Sequence, residues 1–383
     1  MDKNNQYIKQ HNFDFALLKK YESIMALGNG YLGTRAAFEE SYSGSCRNTF
    51  VALEGERRLL DGKLMHLTQT TSDSAIEVKI TTLCNLDSVK DFDKPEFKSI
   101  RRSILGSYEF TAEKDRGAVF EKIAVIRTSL DFDKDIDIRC LERGYDALFG
   151  ESADAWAQYW KACEITLSGQ NPMDLTALRF AQYHLRIMAP FHTNRLSIAA
   201  KGLTGEGYKG HVFWDCEVFQ LPYFRDLFPE VARSLLEYRH HGLRGARKKA
   251  GDRGFLGAMY PWEAAASGLE ETPYYGLLDI VSGVPNRVWA GEKELHITAD
   301  IAYACMKYFG YTGDEDFMER YGYEIILDCA IFWASRAEYI PDKDHYENFG
   351  FNARCQPKNV FSAFKRRCNC PGRQLFPKKA AGN

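Results

Sequence analysis

Apolar and polar residues alternate with a period of two in the segment 75–140. Ile76, Val78 and Ile80 are separated by Glu77 and Lys79, and Ile136, Ile138 and Cys140 by Asp137 and Arg139. That spacing puts the apolar side chains on one face of an extended strand. The stretch 120–127 is a more continuous apolar run and reads as a buried strand. From about residue 151 the period lengthens to that of a helix. Leu178, Ala181, Leu185 and Met188 share one helical face, as do Val231, Leu235 and Tyr238, then Ile301, Cys305 and Tyr308, then Ile325, Cys329 and Phe332. Thr312-Gly-Asp-Glu315 fits a capping box, in which a hydroxyl and a carboxylate satisfy free amides at a helix start. The chain is therefore expected to be mainly α, with a small β region before the helices.

Two long connections, 191–228 and 254–295, interrupt the helices and are rich in Trp, Tyr, Gly, His and acids. Connections of that length are uncommon unless functional, so a ligand site at one end of a helical array is expected. An earlier Gly-rich segment, with Gly28, Gly30 and Gly33, permits tight turns. Its spacing touches that of a dinucleotide loop but lacks the strand–loop–helix frame such a loop needs.

Composition narrows the function classes. The formal net charge of −2 creates no global field for nucleic acid or an anionic membrane. No apolar run is long enough for a membrane span, and the polar start, Met1-Asp-Lys-Asn-Asn, carries no signal-peptide core. The expected location is cytoplasmic, with reduced thiols, and Cys84, Cys163, Cys305 and Cys329 read as small buried hydrophobes. Aromatic residues make up 14% of the chain, which serves large cores and sugar-stacking faces equally.

Three clusters could carry chemistry. The first is Lys201-Gly-Leu-Thr-Gly-Glu-Gly-Tyr-Lys-Gly-His-Val-Phe-Trp-Asp-Cys-Glu217. A pyranose offers an apolar C–H face to an aromatic ring and hydroxyls to charged partners, and Trp214 beside Asp215 supplies both. The same residues also fit a core Trp followed by a helix-capping Asp, and His211 alone reads as structural. The second is Met259-Tyr-Pro-Trp-Glu263 with the acidic Glu270-Glu-Thr-Pro after it. Trp262 and Glu263 fit the opposite wall of a sugar pocket, or a core Trp beside a solvated acid. In the third, His296 and Asp300 lie four apart and share a helical face, but two ligands are too few for a metal site.

On these motifs the chain resembles the disaccharide phosphorylases of glycoside hydrolase family 65. The resemblance rests on the 201–224 segment, the Gly-Asn-Gly-Tyr-Leu-Gly-Thr-Arg run at 28–35, the Tyr260-Pro-Trp-Glu263 turn and His296-Ile-Thr-Ala-Asp-Ile-Ala-Tyr303, in that family's order. It implies an (α/α)6 barrel, here partial, preceded by a reduced β-sandwich remnant. The implied division is a sandwich-like region 1–145, a linker helix 146–170, an incomplete barrel 171–347 and an unrelated basic tail 348–383. The implied reaction is inverting phosphorolysis of an α-glucosyl disaccharide (kojibiose, trehalose, trehalose 6-phosphate or maltose) to β-glucose 1-phosphate. Inorganic phosphate is the co-substrate, with no cofactor and no metal. Trp214 and Asp215 match residues that hold the non-reducing glucose; Trp262, Glu263 and His296 complete the substrate-binding set. Relatives are commonly dimers, so a homodimer is an option that the resemblance leaves open.

The chain departs from the family in places. Family-like sequence pauses between about 52 and 70. Cys216 stands where Thr is usual and Leu295 where His is common. The family's general acid lies in a Gly-Pro-Asp-Glu segment soon after the counterpart of Tyr346-Glu347, but Asn348-Phe-Gly-Phe-Asn-Ala-Arg follows here. No catalytic residue is therefore assigned. The segment from Asn348 onward has no Asp or Glu and eight Lys or Arg, with Cys355, Cys368 and Cys370 among them. It reads as a basic unfolded tail or an out-of-frame product rather than a zinc site. The alternatives to a degraded or fragmentary phosphorylase are a non-catalytic carbohydrate-binding remnant, a chain that does not fold stably, and a family hydrolase acting on α-glucosides.

Overall fold

The computed structural model describes residues 12, 14–35, 57–60, 64–71, 75–86, 96–100, 103–111, 117–131, 138–168, 171–205 and 207–347. The basic tail and its three cysteines lie outside them. The chain forms two compact units: 46–165, and a second made of 1–45 with 166–383.

In the first unit, β3 (Arg57–Leu60), β4 (Leu64–Thr70), β5 (Glu77–Asn85) and β8 (Glu121–Thr128) form an antiparallel sheet in the order β3-β4-β5-β8, and β6 (Glu96–Ile100) pairs with β7 (Ser103–Ser107). The alternation around Val78 does become a strand, but its burial is not one-sided: Thr81, Thr82 and Cys84 are its most buried positions. β8 is half-buried, with only Ile123 fully inside, so the run 120–127 is not the buried strand expected. The alternation through Ile138 and Cys140 forms no strand either; Ile138–Arg143 is a 3-10 turn leading into α2 (Tyr145–Ala162). Ile136, the first residue of that alternation, lies outside the described residues, and Gly144, at φ 76°, leads the chain into α2.

The second unit opens with α1 (Leu18–Ile24) and the short hairpin of β1 (Leu27–Gly28) and β2 (Gly33–Thr34). Here the glycines serve close packing. Gly30 sits at φ 80°, and a Cβ there would fall 1.8 Å from the Ala189 carbonyl oxygen. The Gly30 N–H donates to the Ile187 carbonyl and the Tyr183 hydroxyl to the Ala26 carbonyl, tying the hairpin to α3 (Pro172–Met188). Of the expected α3 stripe, Leu185 and Met188 pack against the core and Ala181 is exposed, with Gln182 and Ile187 the fully buried positions beside them.

The core follows the periodicity closely in the later helices. α4 (Leu221–Leu227), α5 (Pro229–His241), α6 (Leu243–Asp252), α8 (His296–Thr312) and α10 (Tyr323–Arg336) bury Phe224, Val231, Leu235, Tyr238, Ile301, Cys305, Tyr308, Ile325, Cys329 and Phe332. The capping box is displaced: Thr312 ends α8, Gly313 adopts the left-handed C-cap, and Asp314 caps α9 (Glu315–Phe317) through the Phe317 amide. The two long connections contain a π-helical turn, Cys216–Gln220, a hairpin of β9 (Tyr275–Leu278) and β10 (Pro285–Arg287), and α7 (Ala290–Lys293). A final hairpin pairs β11 (Glu338–Ile340) with β12 (His345–Glu347). No helix among the described residues is long and apolar enough to cross a membrane.

Candidate sugar site

Two loops and one helix start meet within the helical unit. The loop before α4 and the loop after α6 are joined backbone to backbone: Val212 and Ala264 exchange two N–H···O bonds of 2.9 Å. This closed pair holds Trp214–Asp215 on one loop and Trp262–Glu263 on the other at fixed separation. The third wall is the first turn of α8, which presents His296.

The indoles of Trp214 and Trp262 both stand edge-on to the His296 ring, with centroids 4.9 Å and 6.0 Å away. Phe213 meets Trp262 edge-on at 5.9 Å. His296 is itself oriented by Asp300, whose Oδ2 lies 2.6 Å from Nδ1, as the spacing of four suggested. Glu294 lies on the other side, its Oε2 3.6 Å from Nε2. Fixing one ring nitrogen against a carboxylate sets the tautomer and leaves the other for a second partner.

Asp215 is half-buried and makes no hydrogen bond or ion pair with any described residue. It flanks the π-helical turn without a side-chain capping bond, so it is not serving as a helix cap. Its carboxylate oxygens stay open to solvent, so they are available to a ligand. A ligand hydroxyl is a fitting match.

Glu263 is less free. It is buried, and its Oε1 lies 2.8 Å from His211 Nδ1. Oε2 has no partner among the described residues. Glu263 is therefore the acid that orients His211, with one oxygen left over. The fixed point of its loop is Glu270, which accepts from the backbone amides of Trp262, Glu263 and Thr272, from the Thr272 hydroxyl and from Lys249 Nζ. Burial alone would raise the Glu270 carboxyl, but Lys249 and these donors outweigh it and hold it below the usual carboxylate range. Burial pulls Lys249 the other way, below its ordinary value.

Beneath both loops lies a buried ion pair that the sequence reading did not single out. Arg239 of α5 donates to both carboxylate oxygens of Glu217, each bond 2.7 Å, and to the Phe213 carbonyl at 3.0 Å. Burial opposes its charge, yet the Glu217 carboxylate holds Arg239 above the ordinary guanidinium range. The signal was present: Arg239 follows Leu235 by four, which puts a cation on the apolar stripe of an amphipathic helix. Lys249 follows the same logic between Ala246 and Ala250.

Comparison with known proteins places the chain in a family. The Glycosyl hydrolase family 65 central catalytic domain matches residues 179–351, and the family's N-terminal domain matches residues 8–55. The chain belongs to glycosyl hydrolase family 65. It is 42% identical over 334 residues to a kojibiose phosphorylase of Halothermothrix orenii, covering 82% of this chain and 42% of that protein. It is 50% identical over 204 residues to a kojibiose phosphorylase of Escherichia coli, covering 53% of this chain and 27% of the other. The chain thus spans less than half the length of these curated relatives. A solved structure described as a kojibiose phosphorylase from the human microbiome superposes with a TM-score of 0.65 at 20% identity, covering 78% of this chain and 38% of that one, which speaks to the fold. The family 65 match spans α4 to α10 and contains every candidate site residue, so the two loops and the α8 start are part of the family's catalytic domain.

Proposed function

We propose that the helical unit of this family 65 chain grips the non-reducing glucose of an α-glucosyl disaccharide, within a partial (α/α)6 barrel. Trp214 offers an aromatic surface to the C–H face of the ring. Asp215 accepts from sugar hydroxyls, and His296, held by Asp300, and Trp262 bound the pocket opposite. Glu263 contributes its remaining oxygen and keeps His211 in place. The observation that carries this reading is the half-buried Asp215 carboxylate, unpartnered beside an indole that, like that of Trp262, stands edge-on to the His296 ring.

The reaction proposed for the scaffold is inverting phosphorolysis of kojibiose, trehalose, trehalose 6-phosphate or maltose. Phosphate attacks the anomeric carbon from the face opposite the leaving oxygen, and β-glucose 1-phosphate is released. Inverting hydrolysis needs one carboxylic acid for the leaving group and one carboxylate for water. Phosphate is already a nucleophile, so only the acid is required. In this chain no residue is assigned to that acid, and the chain is proposed to bind sugar without turning it over. Absence of a general acid typically removes a factor of ~10²–10⁴ in rate.

The test is incubation with kojibiose in the presence and absence of phosphate, following glucose 1-phosphate and, in parallel, sugar binding by ligand-observed NMR. Binding without glucose 1-phosphate is expected. Phosphate-dependent turnover would contradict the missing acid, sugar release independent of phosphate would make the chain a hydrolase, and absence of binding to every candidate disaccharide would remove the pocket.

A further inference from the structure

The Arg239–Glu217 pair is buried beneath the Trp214–Asp215 loop, and its side-chain bonds hold that loop to α5. Arg239 Nη2 holds the carbonyl of Phe213, the residue before Trp214. Glu217, gripped through both oxygens, lies in the π-helical turn that starts immediately after Asp215. The Arg239 carbonyl accepts from the Tyr260 hydroxyl at 3.1 Å, two residues before Trp262. The Tyr260 amide in turn donates to the Thr298 hydroxyl at 3.0 Å, two residues after His296. Arg239, Glu217, Tyr260 and Thr298 are all buried. The His296 turn is thus tied to the Trp262 loop, that loop to the backbone of α5 through the Arg239 carbonyl, and the Arg239 guanidinium in turn holds the Trp214–Asp215 loop.

A buried ion pair is weak evidence of stability by itself, since apolar residues of like volume often serve as well. Two features argue for more than packing. The guanidinium uses its fixed fork on a carboxylate and a carbonyl at once, which an ammonium cannot reproduce. And the turn that bears Glu217 is wound as a π-helix, a widened geometry that recurs at functional sites. We propose that Arg239, acting through Glu217, is a positioning residue that sets the mutual geometry of Trp214–Asp215 and Trp262 for the sugar. This rests on the sugar-pocket reading above but makes a claim that can fail separately.

The test uses Arg239→Lys, which keeps the charge, and Glu217→Gln, which keeps the shape. Each is labelled with fluorotryptophan for ¹⁹F NMR, melted, and titrated with kojibiose. Both variants are expected to melt cooperatively and to shift the Trp214 resonance while leaving those of Trp156 and Trp160 in place. Their kojibiose dissociation constants should rise on the order of tenfold or more, as misplacement of a site by ~1 Å commonly produces. Unmoved indole resonances with wild-type affinity in either cooperatively melting variant would overturn the proposal. So would loss of the cooperative melt in both, which would make the pair a determinant of the fold. If the resonances shift but even the wild-type chain binds no kojibiose, the sugar reading falls and the positioning role stands.

Discussion

Asp215, next to Trp214, and Glu270, eight residues after Trp262, are two carboxylates with opposite environments. Glu270 is saturated with donors and anchors a loop, whereas Asp215 has none. Asp215→Asn should therefore change stability by no more than about 0.5 kcal/mol while weakening sugar binding, checked by a thermal melt and a kojibiose titration on the same sample. Glu270 predicts a pH dependence. Its folded pKa is depressed, so it contributes stability above the unfolded carboxyl value of about 4.3 and that contribution is lost as pH falls through the lower folded value. Glu270→Gln should flatten this part of the stability curve, measured by denaturant unfolding between neutral and acid pH. The sequence nominated Trp214, Asp215, Trp262, Glu263 and His296 because indole, carboxylate and imidazole types cluster there. Which acid was free and which was occupied was not, because that depends on partners 8 and 52 positions away.

At the scale of elements, helices with strong periodicity were readable and weak alternation was not. α5, α8 and α10 bury the residues their 3.6-residue period selects. The described part of the short alternation, from Ile138, lies in a 3-10 turn, and in α3 Leu185 and Met188 pack on the core while Ala181 is exposed. The helix start near residue 314 shows how local chemistry misleads. Thr312 does accept the Asp314 amide, but it terminates α8, and the cap is Asp314, whose carboxylate also pairs with Arg233 and the Tyr308 hydroxyl. Asp314→Ala should cost roughly 1–2 kcal/mol and Thr312→Ala clearly less, read from paired urea unfolding curves. Equal losses would restore the threonine as the cap.

At the scale of the molecule, the most exposed apolar side chains among the described residues lie on the β9–β10 hairpin. Leu277, Ile280 and Val281 on the β9–β10 hairpin are 88%, 100% and 96% exposed. Contiguous apolar surface of this kind invites association. The double substitution Ile280→Lys with Val281→Lys should lower light scattering at high protein concentration without altering the melt, since neither side chain packs on the core. Unchanged scattering would place the association elsewhere. The exposure could not be foreseen from the run Leu277-Leu278-Asp279-Ile280-Val281, which has the composition of a buried strand.

The central claim, that an indole and a free carboxylate hold one glucose ring, is tested most directly by isothermal titration of kojibiose into the wild-type chain and into Trp214→Ala. The account predicts measurable heat for the wild type and a loss of affinity of about tenfold or more for the variant, equivalent to at least ~1.4 kcal/mol. Equal affinities in two cooperatively folded proteins would contradict it.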